Sequence, residues 1–149
     1  MITRRVAPND LEIIVQLIQY FIATGESASV ESIQSLTSGD NSYLVVGLVN
    51  DNLVGYTLAY RFPSLYHTKH IAYLYDIEVI PEYRNQGYGK ILIQTLHELL
   101  KKENVDEVWL GTALDNEPAK RLFESTGGHS SGETFTEYFY NLADTEKIV

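Results

Sequence analysis

The sequence predicts a single-domain α/β protein in which helices flank a mixed central β-sheet. The chain has 149 residues, the length of one domain, and no linker, repeat or low-complexity segment divides it. Hydrophobic residues make up 44% of the chain and charged residues 21%, which is typical of a protein with a buried core. Helical and strand-like patterns of hydrophobicity alternate along residues 1–149, which favours the α/β class.

The first helix is predicted within residues 8–25. Apolar residues recur there at steps of three and four, Asn9 or Asp10 can cap the start, and Gly25 can end it. We expect the core-facing side of this helix to consist of Leu11, Ile14, Val15, Ile18 and Ile22. A short second helix is predicted around residues 30–38.

Three strands are predicted in the middle of the chain. Residues 42–50 and 52–62 are rich in β-branched and aromatic side chains and meet at a tight polar turn, which predicts a β-hairpin. A loop opened by Pro63 follows, and residues 70–80 predict a third long strand.

Helices and strands continue to alternate after this strand. Residues 88–103 predict a strong helix whose inward side is formed by Ile91, Leu92, Leu96, Leu99 and Leu100. Residues 105–114 predict a strand with Trp109 in the core. Residues 116–127 predict a short helix with Pro118 near its start and Gly127 at its end. Residues 133–142 predict a final aromatic strand.

A glycine-rich turn, residues 81–90, joins the third strand to the long helix. Such a junction can bind phosphate, because the first amides of a helix lack partners and its dipole is positive there. Gly87 and Gly89 permit close backbone approach, and Arg84 adds a positive charge. The P-loop pattern and the full dinucleotide fingerprint are both missing, so an ordinary tight connection is the alternative for this turn taken alone.

Two motifs resemble those of the GCN5-related N-acetyltransferase (GNAT) superfamily. The run "VIPEYRNQGYGKILI" resembles its acetyl-CoA motif, in which R-x-x-G-x-G opens a helix after a strand. The run "LDNEPAKRLFESTGG" resembles its second motif, with Asn116, Ala119, Leu122, Phe123 and Gly127 in register. Within the superfamily, "LVGYTLAYRFP" and "AYLYDIEV" look like segments of aminoglycoside 3-N-acetyltransferases.

The resemblance implies a binding site for acetyl-CoA. The coenzyme A diphosphate would lie on residues 84–90, and the pantetheine arm would pair with the backbone of residues 76–80. Asn116 would contact the arm, and Ala119 and Lys120 would border the adenine end. The implied cofactor-binding residues are Ile77, Val79, Ile80, Arg84, Asn85, Gln86, Gly87, Tyr88, Gly89, Lys90, Asn116, Ala119, Lys120 and Phe123.

Acetyl transfer to an amine needs a group that accepts the amine proton. Asp76 and Glu78 lie two apart on the third strand, so their side chains share a face. Asp76 is the first candidate for the catalytic base, because the resemblance includes the Tyr-Asp pair, and Glu78 is the second. Phe123 stands where the superfamily commonly has a tyrosine that protonates the leaving thiolate, so Tyr88, Tyr138 and Tyr140 are the substitutes to consider.

A cationic acceptor amine would be bound by carboxylates and aromatic walls. Besides Asp76 and Glu78, the last strand offers Glu133, Glu137 and Tyr138 as substrate-binding residues, and Glu26 and Glu31 would close the other side. For each of these carboxylates the alternative is a solvated surface charge. His67 and His70 have no third ligand in the pattern, so no metal site is predicted.

Composition limits the expected binding partners and the expected cellular location. The net charge of −9 disfavours nucleic acid and anionic membranes, and the lack of cysteine makes a reducing cytoplasm the expected location. Three functions stay open: an aminoglycoside 3-N-acetyltransferase, an acetyltransferase for another amine such as a polyamine, an amino-acid derivative or a protein N-terminus, and a non-catalytic acyl-CoA-binding module. A homodimer is expected from the resemblance, with the last strand as a candidate contact, and the alternative is that the chain's own tail covers an exposed edge strand.

Overall fold

The structure is a computed structural model that describes residues 1–143, and it confirms the α/β class. Within these residues a five-stranded sheet of order β1-β2-β3-β4-β5 is accompanied by four α-helices. All neighbouring strands are antiparallel except β4 and β5, which are parallel, so the sheet is mixed. In chain order the elements are β1 (Ile2–Arg5), α1 (Leu11–Ala23), α2 (Val30–Ser38), β2 (Ser42–Val49), β3 (Asn52–Phe62), β4 (His70–Val79), α3 (Tyr88–Lys102), β5 (Val105–Trp109) and α4 (Glu117–Ser125).

The predicted hairpin is formed by β2 and β3. Asn50 and Asp51 connect them with φ angles of 50° and 65°, the left-handed conformation that asparagine and aspartate tolerate in tight hairpin turns. Strand β1 was not predicted; it has only four residues, two of them arginines. This strand forms because it pairs with β2, not because of a local pattern.

The sheet separates two hydrophobic clusters. One contains residues of α1, α2 and the hairpin, and the other lies between the opposite sheet face and α3. The predicted inward side of α1 was partly wrong, since Leu11, Val15 and Ile22 are exposed while Ile13, Ile14 and Leu17 are buried. The helix carries apolar residues on both its buried and its exposed sides, so the periodicity of hydrophobic residues could not identify the side that packs on the sheet.

Three further expectations for buried or paired residues were wrong. In α3, Ile93 is in the core and Ile91 is exposed. Trp109 is 48% exposed and packs on Tyr73, with ring centroids 4.3 Å apart. Residues 133–142 pair with no strand of the described chain, so the predicted last strand is not formed.

The β4–β5 ladder ends well before β4 does. Its last pair is Tyr73 with Trp109, whereas β4 continues to Val79. On the other side β4 stays paired with β3, but the register shifts between Leu58 and Ala59 and leaves Tyr75 as a bulged residue. Beyond Tyr73, β4 therefore has a backbone edge that faces away from β3 without a strand partner in residues 1–143.

We expect Gly55→Ala to lower the free energy of unfolding by about 1–3 kcal/mol, the usual cost of overpacking. Gly55 lies opposite Val79, and an added Cβ would be 2.6 Å from the carbonyl oxygen of Glu78 and 3.2 Å from Cα of Val79. Denaturant unfolding measures the change. Gly39→Ala is the control, because its nearest atoms would be 3.7 Å away and its φ is −81°. Equal stability of the two variants would show that β4 shifts to accommodate the added carbon without a measurable cost.

Candidate active site

A narrow gap opens where β4 and β5 diverge. This β4–β5 gap has a volume of about 170 Å³. Its lining residues are Leu74, Tyr75, Asp76, Ile77, Leu110, Gly111, Thr112, Asn116, Ala119 and Phe123. Because the edge of β4 has no strand partner here, an extended ligand can hydrogen-bond to it as an added strand would.

The glycine turn lies at the N-terminus of α3. Gly87 caps the helix with φ of +82°, no side chain caps the first amides, and the first turn holds no acidic residue. A Cβ on Gly87 would meet no atom within 4 Å, so the space beside this turn is open. Unpaired amides, a positive helix end and open space together make an anion-binding position.

The second glycine of the turn serves packing. A Cβ on Gly89 would lie 3.2 Å from a methyl carbon of Leu122 in α4. Gly89 therefore lets α3 and α4 approach closely, which holds α4 beside the β4–β5 gap. The two glycines that looked equivalent in the sequence have different physical roles.

The α4 motif supplies one wall of the gap. Asn116 caps α4 by accepting a hydrogen bond from the amide of Ala119, at 3.2 Å. Phe123 lines the gap, so the position where the superfamily commonly has tyrosine lacks a hydroxyl, while Tyr75 and Thr112 carry hydroxyl groups in the same lining. Lys120 does not line the gap: its ammonium donates to the carbonyl oxygen of Leu114 at 2.8 Å.

A larger cleft, here called the acidic cleft, lies on the other side of β4 and has a volume of about 600 Å³. Its lining residues are Tyr20, Phe21, Thr24, Glu26, Ser27, Ala28, Tyr56, Tyr75, Asp76, Glu78, Pro81 and Arg84. Three carboxylates face one guanidinium among them, so the cleft carries a net negative charge. Aromatic rings form much of the remaining wall.

Asp76 is held by the neighbouring strand. The hydroxyl of Tyr56 donates to Oδ2 of Asp76 at 2.8 Å, and Thr57 donates to the backbone carbonyl of Asp76 at 3.0 Å. Burial, and then the hydrogen bond to Asp76, raise the pKa of Tyr56 far above its ordinary value. Tyr56 therefore remains protonated and donates to the carboxylate throughout the physiological pH range.

Glu78 has a charged partner. Arg84 donates to the Glu78 carboxylate at 2.5 Å and to the backbone carbonyl of Val79 at 2.8 Å. The guanidinium expected at the mouth of the glycine turn therefore faces the acidic cleft. Tyr20 lies nearby, and burial followed by the charge of Glu78 raises its pKa.

Tyr75 and Asp76 connect the two openings, because both residues line the β4–β5 gap as well as the acidic cleft. The bulge at Tyr75 leaves this side chain 63% exposed. A group bound in the gap and a group bound in the acidic cleft can meet at this position. Here one strand exposes its backbone edge to the β4–β5 gap and carboxylate side chains to the acidic cleft.

The structure brings together some of the predicted substrate-binding residues but not others. Asp76, Glu78 and Glu26 share the acidic cleft, whereas Glu31 is exposed on α2 outside it. Glu133, Glu137 and Tyr138 lie in the exposed segment after α4 and line neither opening. Tyr20 and Tyr56 were not predicted as site residues, and for Tyr56 the sequence signal is its position directly after Gly55 in β3.

A family model described as "Acetyltransferase (GNAT) family" matches residues 13–128, which include β4, the glycine turn and α4. The chain belongs to the GNAT acetyltransferase family. This family uses acetyl-CoA as its acetyl donor. The β4–β5 gap and the open turn at Gly87 agree with that use, since the first offers an unpaired strand edge and the second an anion-binding position.

Curated relatives match about half of this GNAT chain. The [ribosomal protein bS18]-alanine N-acetyltransferase of Escherichia coli strain K12 is 34% identical over 73 residues, which cover 49% of this chain and 48% of the relative. N-acetyltransferase family 8 member 3 of Mus musculus is 28% identical over 75 residues, which cover 50% of this chain and 33% of that protein. The matched part therefore spans half or less of the length of these relatives.

A solved structure matches nearly the whole GNAT chain. It is the crystal structure of an aminoglycoside acetyltransferase from an uncultured soil metagenomic sample in complex with sisomicin. The two proteins are 28% identical with a TM-score of 0.83, and the match covers 95% of each chain. In residues 1–143, no helix has both the length and the apolar character needed to cross a membrane.

Proposed function

We propose that this chain transfers the acetyl group of acetyl-CoA to a primary amine of a cationic small molecule, an aminoglycoside acetylated at the 3-amino group. The main support for the proposal is the acidic cleft, which is lined by three carboxylates and several aromatic rings. The cleft adjoins the β4–β5 gap at Tyr75 and Asp76, which line both. The similarity to a sisomicin-bound aminoglycoside acetyltransferase over 95% of the chain supports this substrate class.

A second acceptor class has its own support. The 34% identity to an alanine N-acetyltransferase that acts on a ribosomal protein favours a protein N-terminus as the acceptor. An α-amine of a peptide carries one positive charge, whereas aminoglycosides carry several. The excess of carboxylates in the acidic cleft favours the polycation.

The cofactor would be held by backbone groups. The free amides at the start of α3 would bind the coenzyme A diphosphate, with Gly87 leaving room for it, and the edge of β4 after Tyr73 would pair with the pantetheine arm. Acetyl-CoA supplies an acetyl group activated as a thioester. Asn116, Ala119 and Phe123 would enclose the arm from the α4 side.

The carboxylates of the acidic cleft would have two roles, deprotonation and binding of the acceptor amine. Asp76 would accept the proton of the attacking amine, because it borders both openings and, among the described residues, its carboxylate faces the neutral hydroxyl of Tyr56 and no cation. Glu78, already paired with Arg84, would help bind the cationic acceptor, as would Glu26 at the rim.

A substrate panel tests the activity and the acceptor class together. We expect free thiol to be released from acetyl-CoA in the presence of kanamycin, gentamicin or sisomicin, with one acetyl group gained by the antibiotic in mass spectrometry and its position assigned by NMR. Spermidine and a peptide with N-terminal alanine complete the panel. Turnover of the peptide alone would favour the second acceptor class, and coenzyme A binding without any turnover would favour a binding module.

We expect Gly87→Val to weaken coenzyme A binding by roughly tenfold or more, because a hydrogen bond to a charged group contributes ~1.5–3 kcal/mol. The valine opposes the left-handed φ and fills the space proposed for the diphosphate. Calorimetry measures the dissociation constant. Gly132→Val is the matched control, since Gly132 has φ of +80° and equally open surroundings but lies outside the turn. Equal affinities in both variants would show that the diphosphate does not bind at this turn.

We expect Asp76→Asn to lower kcat by about 10²–10⁴-fold, the usual contribution of a general base. Glu78→Gln should act mainly on KM of the acceptor, because Glu78 is proposed to bind charge. Glu31→Gln, an exposed carboxylate outside the cleft, serves as the control. Steady-state kinetics with an acceptor identified in the panel separates the two effects. A full kcat in Asp76→Asn together with a collapsed kcat in Glu78→Gln would reverse the assignment.

A further inference from the structure

Four aromatic side chains, here called the aromatic row, contact one another across three strands of the sheet. They are Tyr60 in β3, Tyr73 and Tyr75 in β4, and Trp109 in β5. Tyr73 is the register partner of both Tyr60 and Trp109, and its ring centroid lies 4.3 Å from that of Trp109. The ring of Tyr75 meets those of Tyr60 and Tyr73 edge to face, with centroids 5.8 Å and 6.2 Å apart. These contacts hold the rings in fixed orientations.

The aromatic row lies on the sheet face opposite α3 and is partly uncovered. Leu74 and Val108 belong to the cluster beneath α3, so the alternation of side chains directs Tyr73 and Trp109 to the other face. On that other face, the cluster beneath α1 and α2 includes no β4 or β5 residue among those the structure describes. Tyr75 and Trp109 are exposed. The row therefore offers aromatic surface to a ligand.

The row continues the acidic cleft along β4. Tyr75 belongs to the row and also lines the cleft beside Asp76. From Asp76 back to Tyr73 the strand runs for about 10 Å, at a rise of ~3.3 Å per residue. One surface thus leads from the carboxylates of the cleft to the indole of Trp109, and it is longer than a single six-membered ring.

Carboxylates lie at both ends of this surface. Asp76 and Glu78 are at the cleft end, and Glu107 is at the other end, on the same side of β5 as Trp109. The exposed carboxylate of Glu107 lies 3.8 Å from Nε2 of His67 and, within residues 1–143, pairs with no Lys or Arg. Carboxylates and aromatic faces both attract ammonium groups, so the surface suits a molecule with several of them.

We propose that the aromatic row is a subsite for the outer rings of a multi-ring amino-sugar acceptor whose reacting amine lies at Asp76. The inference rests on the proposed function, since it concerns the remainder of the same acceptor. Amino sugars present C–H faces that pack on aromatic rings and ammonium groups that interact with the π faces. A linear polyamine has no ring face, and a peptide N-terminus has its one charge at the cleft, so the row favours the amino sugar over both.

The emission of Trp109, the single tryptophan of the chain, reports on the row in the unaltered protein. Saturating sisomicin, which has three rings, should move this emission to shorter wavelength, because the sugar displaces water from the indole. The aminocyclitol 2-deoxystreptamine carries the 3-amino group but no outer rings. At saturation it should leave the emission where it was.

Kinetics measure what the row contributes to the use of the acceptor. In Trp109→Ala, the ratio of kcat/KM for sisomicin to kcat/KM for 2-deoxystreptamine should fall by roughly 3–10-fold, the range expected for one aromatic contact. A general loss of folded enzyme would lower both values and leave their ratio unchanged. Tyr66→Ala is the matched control, because Tyr66 is an exposed tyrosine in the loop before β4 and lies outside the row. This variant should keep the ratio.

Several results would contradict the proposal. Trp109 emission at short wavelength before any ligand is added would mean that part of the protein covers the row. An unchanged emission with sisomicin, an equal shift with 2-deoxystreptamine, or an unchanged ratio in Trp109→Ala would mean that the outer rings bind elsewhere. If sisomicin is still acetylated in these cases, the proposed function stands without the subsite. A shift with sisomicin but no acetylation would overturn the proposed activity and retain the row as a binding site.

Discussion

The divergence of β4 and β5 is the constraint on which both openings depend. A parallel ladder that continued past Tyr73 and Trp109 would occupy the edge of β4 and close the gap between the strands. The β3 side must hold β4 in place without that second neighbour. It does so through a full antiparallel ladder, through the hydrogen bond from Thr57 to the Asp76 carbonyl, and through a glycine at position 55 that lets Glu78 and Val79 approach closely.

One strand borders both openings because side chains alternate along it. Asp76 and Glu78 face the acidic cleft, whereas Ile77 and Val79 pack against the cluster beneath α3. The bulge at Tyr75 adjusts this alternation at the junction, where Tyr75 and Asp76 border both openings. A change in the course of β4 would therefore alter its free edge and the acidic cleft together, so the shape of both openings depends on the packing of the hairpin.

Much of the fold could be predicted from the sequence, because the strands β2 to β4 and the helices α3 and α4 carry strong local patterns. The two GNAT motifs likewise predicted the family, since their spacing requires a strand, a turn and two helices in a fixed order. Features that depend on distant neighbours could not be predicted. The buried face of α1, the exposure of Trp109 and the short β1 follow from which surfaces other elements cover. Residues 133–142 have a strand-like sequence but lack a neighbouring strand within the described chain.

The position of Arg84 shows how contacts change the meaning of a motif. The motif puts this guanidinium next to the glycine turn, yet its hydrogen bonds go to Glu78 and Val79. The ion pair with Arg84 offsets the charge of Glu78. The two carboxylates, which look alike in the sequence, therefore have different surroundings. Asp76 lies at the junction of the two openings, where its carboxylate accepts a hydrogen bond from the neutral hydroxyl of Tyr56 and, within residues 1–143, has no cationic partner. Because Arg84 would compete with a cationic acceptor for the Glu78 carboxylate, this difference in neighbours supports our proposal of Asp76, and not Glu78, as the base.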